Sequence, residues 1–181
     1  MAENVAGTED RILDLAELLI RKNGYNGFSF RDIAAGIGVK SASVHYHFPT
    51  KAALGARVAK RYTDRFLDTL GDPDKAPEDA NAVIDKVRAL FRSAMLEDGR
   101  VCLCGVLAAE SAGLPDEVAA EAKAFFTRLT NWLCAALSRT TWGKDQPAEA
   151  VRTQALRAVA LFEGGLLIAR IQNDTDLFDL L

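Results

Sequence analysis

Between residues 8 and 171 the apolar residues recur three and four positions apart, and no run of alternating β-branched residues is bounded by turn signals. That period lines up side chains on one face of an α-helix, whereas a half-buried strand needs a period of two. The pattern restricts the chain to an all-α fold. In the first helix Ile12, Leu15, Ala16, Leu19 and Ile20 form a single stripe. Thr8 reads as its N-cap, Glu9 and Asp10 suit the positive end of the helix dipole, and Gly24 after Arg21 and Lys22 reads as its C-cap.

Two short helices follow. Ser29 caps one over residues 30–35, and Gly36-Ile37-Gly38-Val39 is a tight break. The next starts near Ser41 and stops at Pro49, since proline disfavours helix at the residue before it. Thr50 then caps a long helix over 51–70. A polar turn at 71–77 separates these from helices near 78–97, 101–112, 115–139 and 147–172 and a short apolar tail, 177–181. The intervening turn signals are Asp98-Gly99, Gly113-Leu114-Pro115 and the stretch 143–147.

Hydrophobic residues make up 49% and charged residues 26%, which excludes a disordered chain. The net charge of −3 argues at first against a nucleic-acid partner. It is not evenly spread. Residues 1–65 hold ten Lys/Arg against seven Asp/Glu and both histidines; the rest hold twelve against eighteen. A basic head on an acidic body points to an anionic partner for one part only. Cys102, Cys104 and Cys134 form no CxxC pair and no even-numbered disulfide framework, so neither metal nor cofactor is expected. The polar start and the lack of ~18 consecutive apolar residues predict no signal peptide, no membrane span and a cytoplasmic protein.

Two short helices joined by a glycine-containing turn make a helix-turn-helix. Ile33, Ala34, Ile37, Val39, Val44 and Phe48 supply its apolar contacts, leaving Lys40, Ser41, Ser43, His45, Tyr46 and His47 to face outward. Hydroxyls, imidazoles and a cation can donate to phosphates or read acceptors in the major groove, and small residues let a helix start approach base edges. The helix starts at Ser29, Ser41 and Thr50 also present backbone N–H groups to phosphate.

Several segments stand in register: Arg21-Lys22-Asn23-Gly24-Tyr25-Asn26-Gly27-Phe28, Ser29-Phe30-Arg31-Asp32-Ile33-Ala34, Gly38-Val39-Lys40-Ser41-Ala42-Ser43-Val44-His45-Tyr46-His47-Phe48 and Pro49-Thr50-Lys51-Ala52-Ala53-Leu54. Over residues 8–65 the chain resembles the DNA-binding head of TetR-type transcriptional regulators. The resemblance implies an N-terminal three-helix head over 1–50, a long connecting helix, and an effector-binding and dimerisation body within 51–181. It implies a phosphate contact at Ser29, a base or phosphate contact at Arg31, and a recognition helix opened by Lys40, Ser41, Ala42 and Ser43. Tyr46 and His47 would brace on the DNA backbone and Lys51 would anchor a phosphate. His45 departs from the tyrosine common at its position, so its contact and the operator preference are this chain's own. The implied function is that of a homodimeric repressor released from palindromic double-stranded operator DNA by a small-molecule effector.

The two longest helices are the expected dimer elements. Leu129, Leu133 and Leu137 form a row on the first; Leu156, Ala160, Gly164, Leu167 and Ile171 form one on the second. Gly164-Gly165 inside a helix costs roughly 1 kcal/mol each against alanine, which close approach of a partner helix would explain. Phe66, Phe91, Met95, Cys104, Phe125, Trp132 and Phe162 are expected to line an apolar pocket, with Glu110, Arg92 and Glu163 as polar anchors. Cys102 and Cys104 follow Arg100, a setting that can lower a thiol pKa, so an oxidant or electrophile sensor is an alternative to two buried apolar thiols. The chain has no GxGxxG, GxxxxGK[ST] or HExxH motif and no defensible Ser-His-Asp set, so it does not read as an enzyme. A helical protein-binding adaptor would leave the basic head without a use.

Overall fold

The computed structural model describes residues 7–98 and 101–181. Among them it contains eight α-helices and no strand: α1 (Thr8–Asn23), α2 (Phe30–Ile37), α3 (Ser41–His47), α4 (Lys51–Leu70), α5 (Ala80–Asp98), α6 (Leu103–Ala109), α7 (Asp116–Ser138) and α8 (Ala148–Gln172). The all-α, head-and-body expectation holds. Some boundaries differ. The residue before α1 is Gly7, whose carbonyl takes the Arg11 N–H, so Thr8 is already helical. The helix expected over 101–112 is α6 followed by a 3-10 turn, Ser111–Gly113. The apolar tail is a 3-10 segment, Thr175–Leu180.

The chain forms two compact units. One gathers the chain up to Tyr62 with Leu103–Lys123. In it Ile12, Leu13, Ala16 and Ile20 of α1, Ile33 and Ala34 of α2, and Val44 of α3 are buried with Leu54 and Val58 of α4. Leu103, Cys104 and Leu107 of α6 and Val118 of α7 complete the core. Arg61 of α4 donates to Asp14 of α1 at 2.7 Å and lies 3.6 Å from Glu17. A Cβ at Gly55 would meet the Tyr25 ring at 2.7 Å, so α4 approaches the α1–α2 connection as only glycine allows.

The other unit gathers Thr63–Cys102 with Ala124–Leu181. Its centre is a chain of rings. Phe66 meets Phe91 at 5.2 Å and Phe125 at 5.3 Å; Phe91 meets Phe162 at 5.8 Å, and Phe162 meets Phe178 at 6.1 Å. Edge and tilted ring contacts of this kind add about 0.5–1.5 kcal/mol per pair beyond area burial. The tail folds back on α8 and is held by α5: Arg88 donates to the Leu181 carbonyl at 2.7 Å, and Arg92 grips the Asp179 carboxylate with two nitrogens. Trp132 donates its indole N–H to the Gly71 carbonyl at 2.7 Å, joining α7 to the end of α4. Among the described residues no helix is long and apolar enough to cross a membrane.

Candidate nucleic-acid interface

The turn between α1 and α2 is set by a reciprocal cap. The Asp32 N–H donates to Ser29 Oγ at 3.3 Å, while the Ser29 N–H and hydroxyl both donate to Asp32 Oδ2 at 2.7 Å. These bonds from Ser29 hold the Asp32 carboxyl below the usual carboxylate range. α2 ends at Gly38, whose left-handed φ of 71° is the conformation glycine adopts without penalty. The Val39 N–H returns to the Ala34 carbonyl at 2.9 Å, and Arg11 of α1 donates to the Ile37 carbonyl. The turn is thus closed from both sides, and three residues, Gly38 to Lys40, separate α2 from α3.

With Val44 wholly buried and Phe48 nearly so, the rest of α3 faces out. Lys40, Ser41, Ala42, His45 and Tyr46 are exposed, and Ser43 and His47 half-buried. Tyr46 is 86% exposed and meets the His47 ring edge-on at 5.3 Å. His45 packs against the Phe30 ring at 4.7 Å. Thr8, Val39, Ala42, Ser43, Tyr46 and His47 line an open hollow of about 370 Å³. Thr8 is the member that sequence reasoning missed, because only tertiary packing brings the start of α1 beside α3.

Ser29 and Arg31 are exposed at the start of α2. Lys51 is half-buried. It donates to the Phe28 carbonyl at 2.7 Å and lies 4.8 Å from the Tyr25 ring centre and 4.4 Å from that of Phe28. Burial lowers its pKa, against the opposing pull of Glu110 and Asp32. Glu110, grouped with the pocket by its place on an apolar helix, accepts the Tyr25 N–H at 2.9 Å in the same unit as the head.

Of the other residues expected to line a pocket, Phe66, Phe91, Phe125 and Phe162 belong to the ring chain, and Met95 and Trp132 are buried in the same unit. Cys104 is buried in the unit that holds α1–α3. Arg92 is bound to Asp179. Burial raises the Cys134 pKa, Cys102 is wholly buried, and Arg100 lies outside the described residues. Leu129, Leu133 and Leu137 are wholly buried within the protomer and present no surface to a partner. On α8, Leu156, Ala160, Leu167 and Ile171 are exposed and Gly164 half-buried; Leu161 and Ile168, also exposed, flank them.

A closed helix-turn-helix with an outward, polar second helix on an all-α body defines a DNA-binding regulator. Residues 12–58 match the bacterial regulatory proteins of the tetR family. Residues 76–181 match the C-terminal domain described as transcriptional regulator LmrA/YxaF-like. The chain belongs to the TetR family and is a DNA-binding transcriptional regulator, not an enzyme. A TetR transcriptional regulator from Legionella pneumophila is 35% identical, with a TM-score of 0.85 over 98% of this chain and 94% of that one. A TetR-family regulator from Agrobacterium tumefaciens is 30% identical, with a TM-score of 0.81 over 94% and 91%. IcaR of Staphylococcus epidermidis, the negative transcriptional regulator of the biofilm operon icaADBC, is 31% identical over 62 residues, 34% of each chain. The match spans about a third of that relative's length.

Proposed function

We propose that the protein is a homodimeric repressor whose α3 reads operator DNA and whose body binds a small-molecule effector that releases it. Residues 1–50 act as the reading head and 51–181 as the effector and dimerisation part. The observation that carries the DNA reading is α3 itself. Its single buried residue, Val44, fastens it to the core, and its Ala42, Ser43, Tyr46 and His47, with Thr8 and Val39, line one open hollow. Ser29, Arg31, Thr8 and Lys51 serve as phosphate contacts, and Lys40, Ser41, Ala42, Ser43 and His45 meet base edges, with Tyr46 and His47 braced on the backbone. The negative regulation exerted by IcaR favours repression over activation.

Dimerisation is supported by the exposed α8 row of Leu156, Ala160, Gly164, Leu167 and Ile171. A Cβ at Gly164 would meet nothing within 4 Å, so this glycine is not required by the protomer's own packing. A partner helix crossing at Gly164 gives it a purpose. The effector reading is supported by the ring chain of the body, and release requires only that the effector bind one of two arrangements of the dimer more tightly. The full burial of Cys102 and Cys104 favours their role as small apolar residues over that of sensors.

The test is selection of bound duplexes from a random pool. Enrichment of a palindrome with half-sites about one helical turn apart, roughly 34–36 Å, is the expected result. Failure to enrich any sequence overturns the operator reading, and enrichment of an isolated half-site overturns the dimer.

A further inference from the structure

Glu110 stands where a carboxylate is poorly placed. It directly follows α6, and its side chain lies against Gly24, which closes α1. A Cβ added at Gly24 would collide with Glu110 Oε1 and lie 3.4 Å from Oε2. The carboxylate thus meets the negative ends of two helices, which disfavour its charge. Its position is explained by what it holds. Oε2 accepts the Tyr25 N–H at 2.9 Å, and the bare Gly24, at a φ of 82°, lets the carboxylate come that close. Tyr25 opens the α1–α2 connection, and its ring, with the ring and carbonyl of Phe28, seats the Lys51 ammonium. Lys51 is misplaced in the opposite sense, a cation in the first turn of α4. The Glu110 charge favours its charged form against the effect of burial. Glu110 lies in the stretch matched by the C-terminal family domain, yet it packs in the unit that holds α1–α3.

We propose that Glu110 is a positioning residue for operator binding: it fixes the α1–α2 connection by its bond to Tyr25, and through that connection the Phe28 carbonyl and the two rings that seat Lys51. This inference rests on the reading that the head binds DNA and that Lys51 meets a phosphate. Glu110 itself touches no phosphate, because a carboxylate is repelled by one. That repulsion sets the sign of the test. A carboxylate that merely stood near the interface would, once removed, leave DNA binding tighter. A positioning carboxylate, once removed, leaves it weaker.

The test is a gel-shift titration of the whole protein on a duplex selected by the wild type, at several salt concentrations. Glu110→Met keeps the length of the side chain and loses the acceptor; Glu110→Gln keeps an acceptor for the Tyr25 N–H and loses the charge. The methionine variant should bind about tenfold more weakly, the scale of one hydrogen bond to a charged group, and its log–log salt slope should fall by about one. The glutamine variant should recover most of the affinity. Glu110→Met combined with Lys51→Met should lose less than the two single losses together, since both act on one contact. If circular dichroism shows the methionine variant unfolded, Glu110→Ala takes its place. Unchanged or tighter binding without the acceptor overturns the proposal, as do additive losses in the double variant. A glutamine variant as weak as the methionine one overturns it too, because the bond to Tyr25 is then not what matters. A wild-type protein that selects no duplex overturns the DNA reading itself, and the role of Glu110 with it.

Discussion

The Lys51 ammonium donates to the carbonyl of Phe28 at 2.7 Å, from the first turn of α4 across to the residue before the Ser29 cap. With the rings of Tyr25 and Phe28 beside it, the residue expected to anchor a phosphate also fastens the α1–α2 connection to α4. Lys51→Met removes a charge-assisted hydrogen bond and a cation–π contact, and should cost about 1–2 kcal/mol in a half-exposed setting. Thermal unfolding reads that loss. Gel shifts at several salt concentrations read the second role: affinity should fall on every sequence, and the log–log salt slope should drop by about one. A lower melting temperature with an unchanged slope would assign Lys51 to the scaffold alone.

Tyr46 gives the opposite separation. Being 86% exposed, it supports little of the fold, so Tyr46→Ala should shift stability by less than about 0.5 kcal/mol. Operator affinity should nonetheless fall about tenfold or more. Ser43→Ala and His45→Ala should instead change the ranking of operators, by about 1–3 kcal/mol per base pair read. Competition gel shifts on single-base operator variants check this, and a uniform loss across all variants would remove Ser43 and His45 from base reading.

The head was largely legible because its signals are local. Ser29 announces the start of α2, the glycines announce the turn, and Pro49 ends α3. The body was less so, because an i, i+4 row does not say what covers it. Leu129, Leu133 and Leu137 have the spacing of an interface and turn inward, whereas the row through Leu156, Gly164 and Ile171 has the same kind of spacing and stays exposed. Glu110 and Thr8 were misplaced or missed for another reason. Their partners, Tyr25 and α3, are distant in sequence, and no periodicity reports such a contact.

The two adjacent glycines of α8 separate fold from assembly. A Cβ at Gly165 would lie 2.1 Å from Leu181 Cδ1 and 3.1 Å from Phe178 Cδ2, so Gly165→Ala must displace the tail and should destabilise the protomer. Gly164 faces open space, and alanine there should favour the helix of an isolated protomer by about 0.5–1 kcal/mol. In the proposed dimer the same methyl holds two helices apart, so Gly164→Ala should weaken association. Ile171→Glu, placing a charge on a side chain 85% exposed in the protomer, should yield a folded monomer. Sedimentation velocity distinguishes the cases. A dimer unaffected by Ile171→Glu would remove this face from the interface.

Glu163 predicts a pH dependence whose sign follows from its burial. Its carboxyl is raised from 4.5 to about 7, chiefly because the charged form is desolvated, and the Cys102 hydrogen bond opposes the shift. Between those two values the folded chain holds a proton that the unfolded chain releases. Stability attributable to this group is therefore full below about pH 4.5, declines as pH rises through 7, and is flat beyond. The shift corresponds to about 3 kcal/mol at 1.36 kcal/mol per pKa unit. Glu163→Gln cannot titrate, so relative to wild type it should gain about that much stability between pH 5 and pH 8. Urea unfolding at the two pH values measures the difference directly. If the gap between variant and wild type is the same at both, the carboxyl ionises as freely in the folded chain as in the unfolded one, and its burial carries no electrostatic cost.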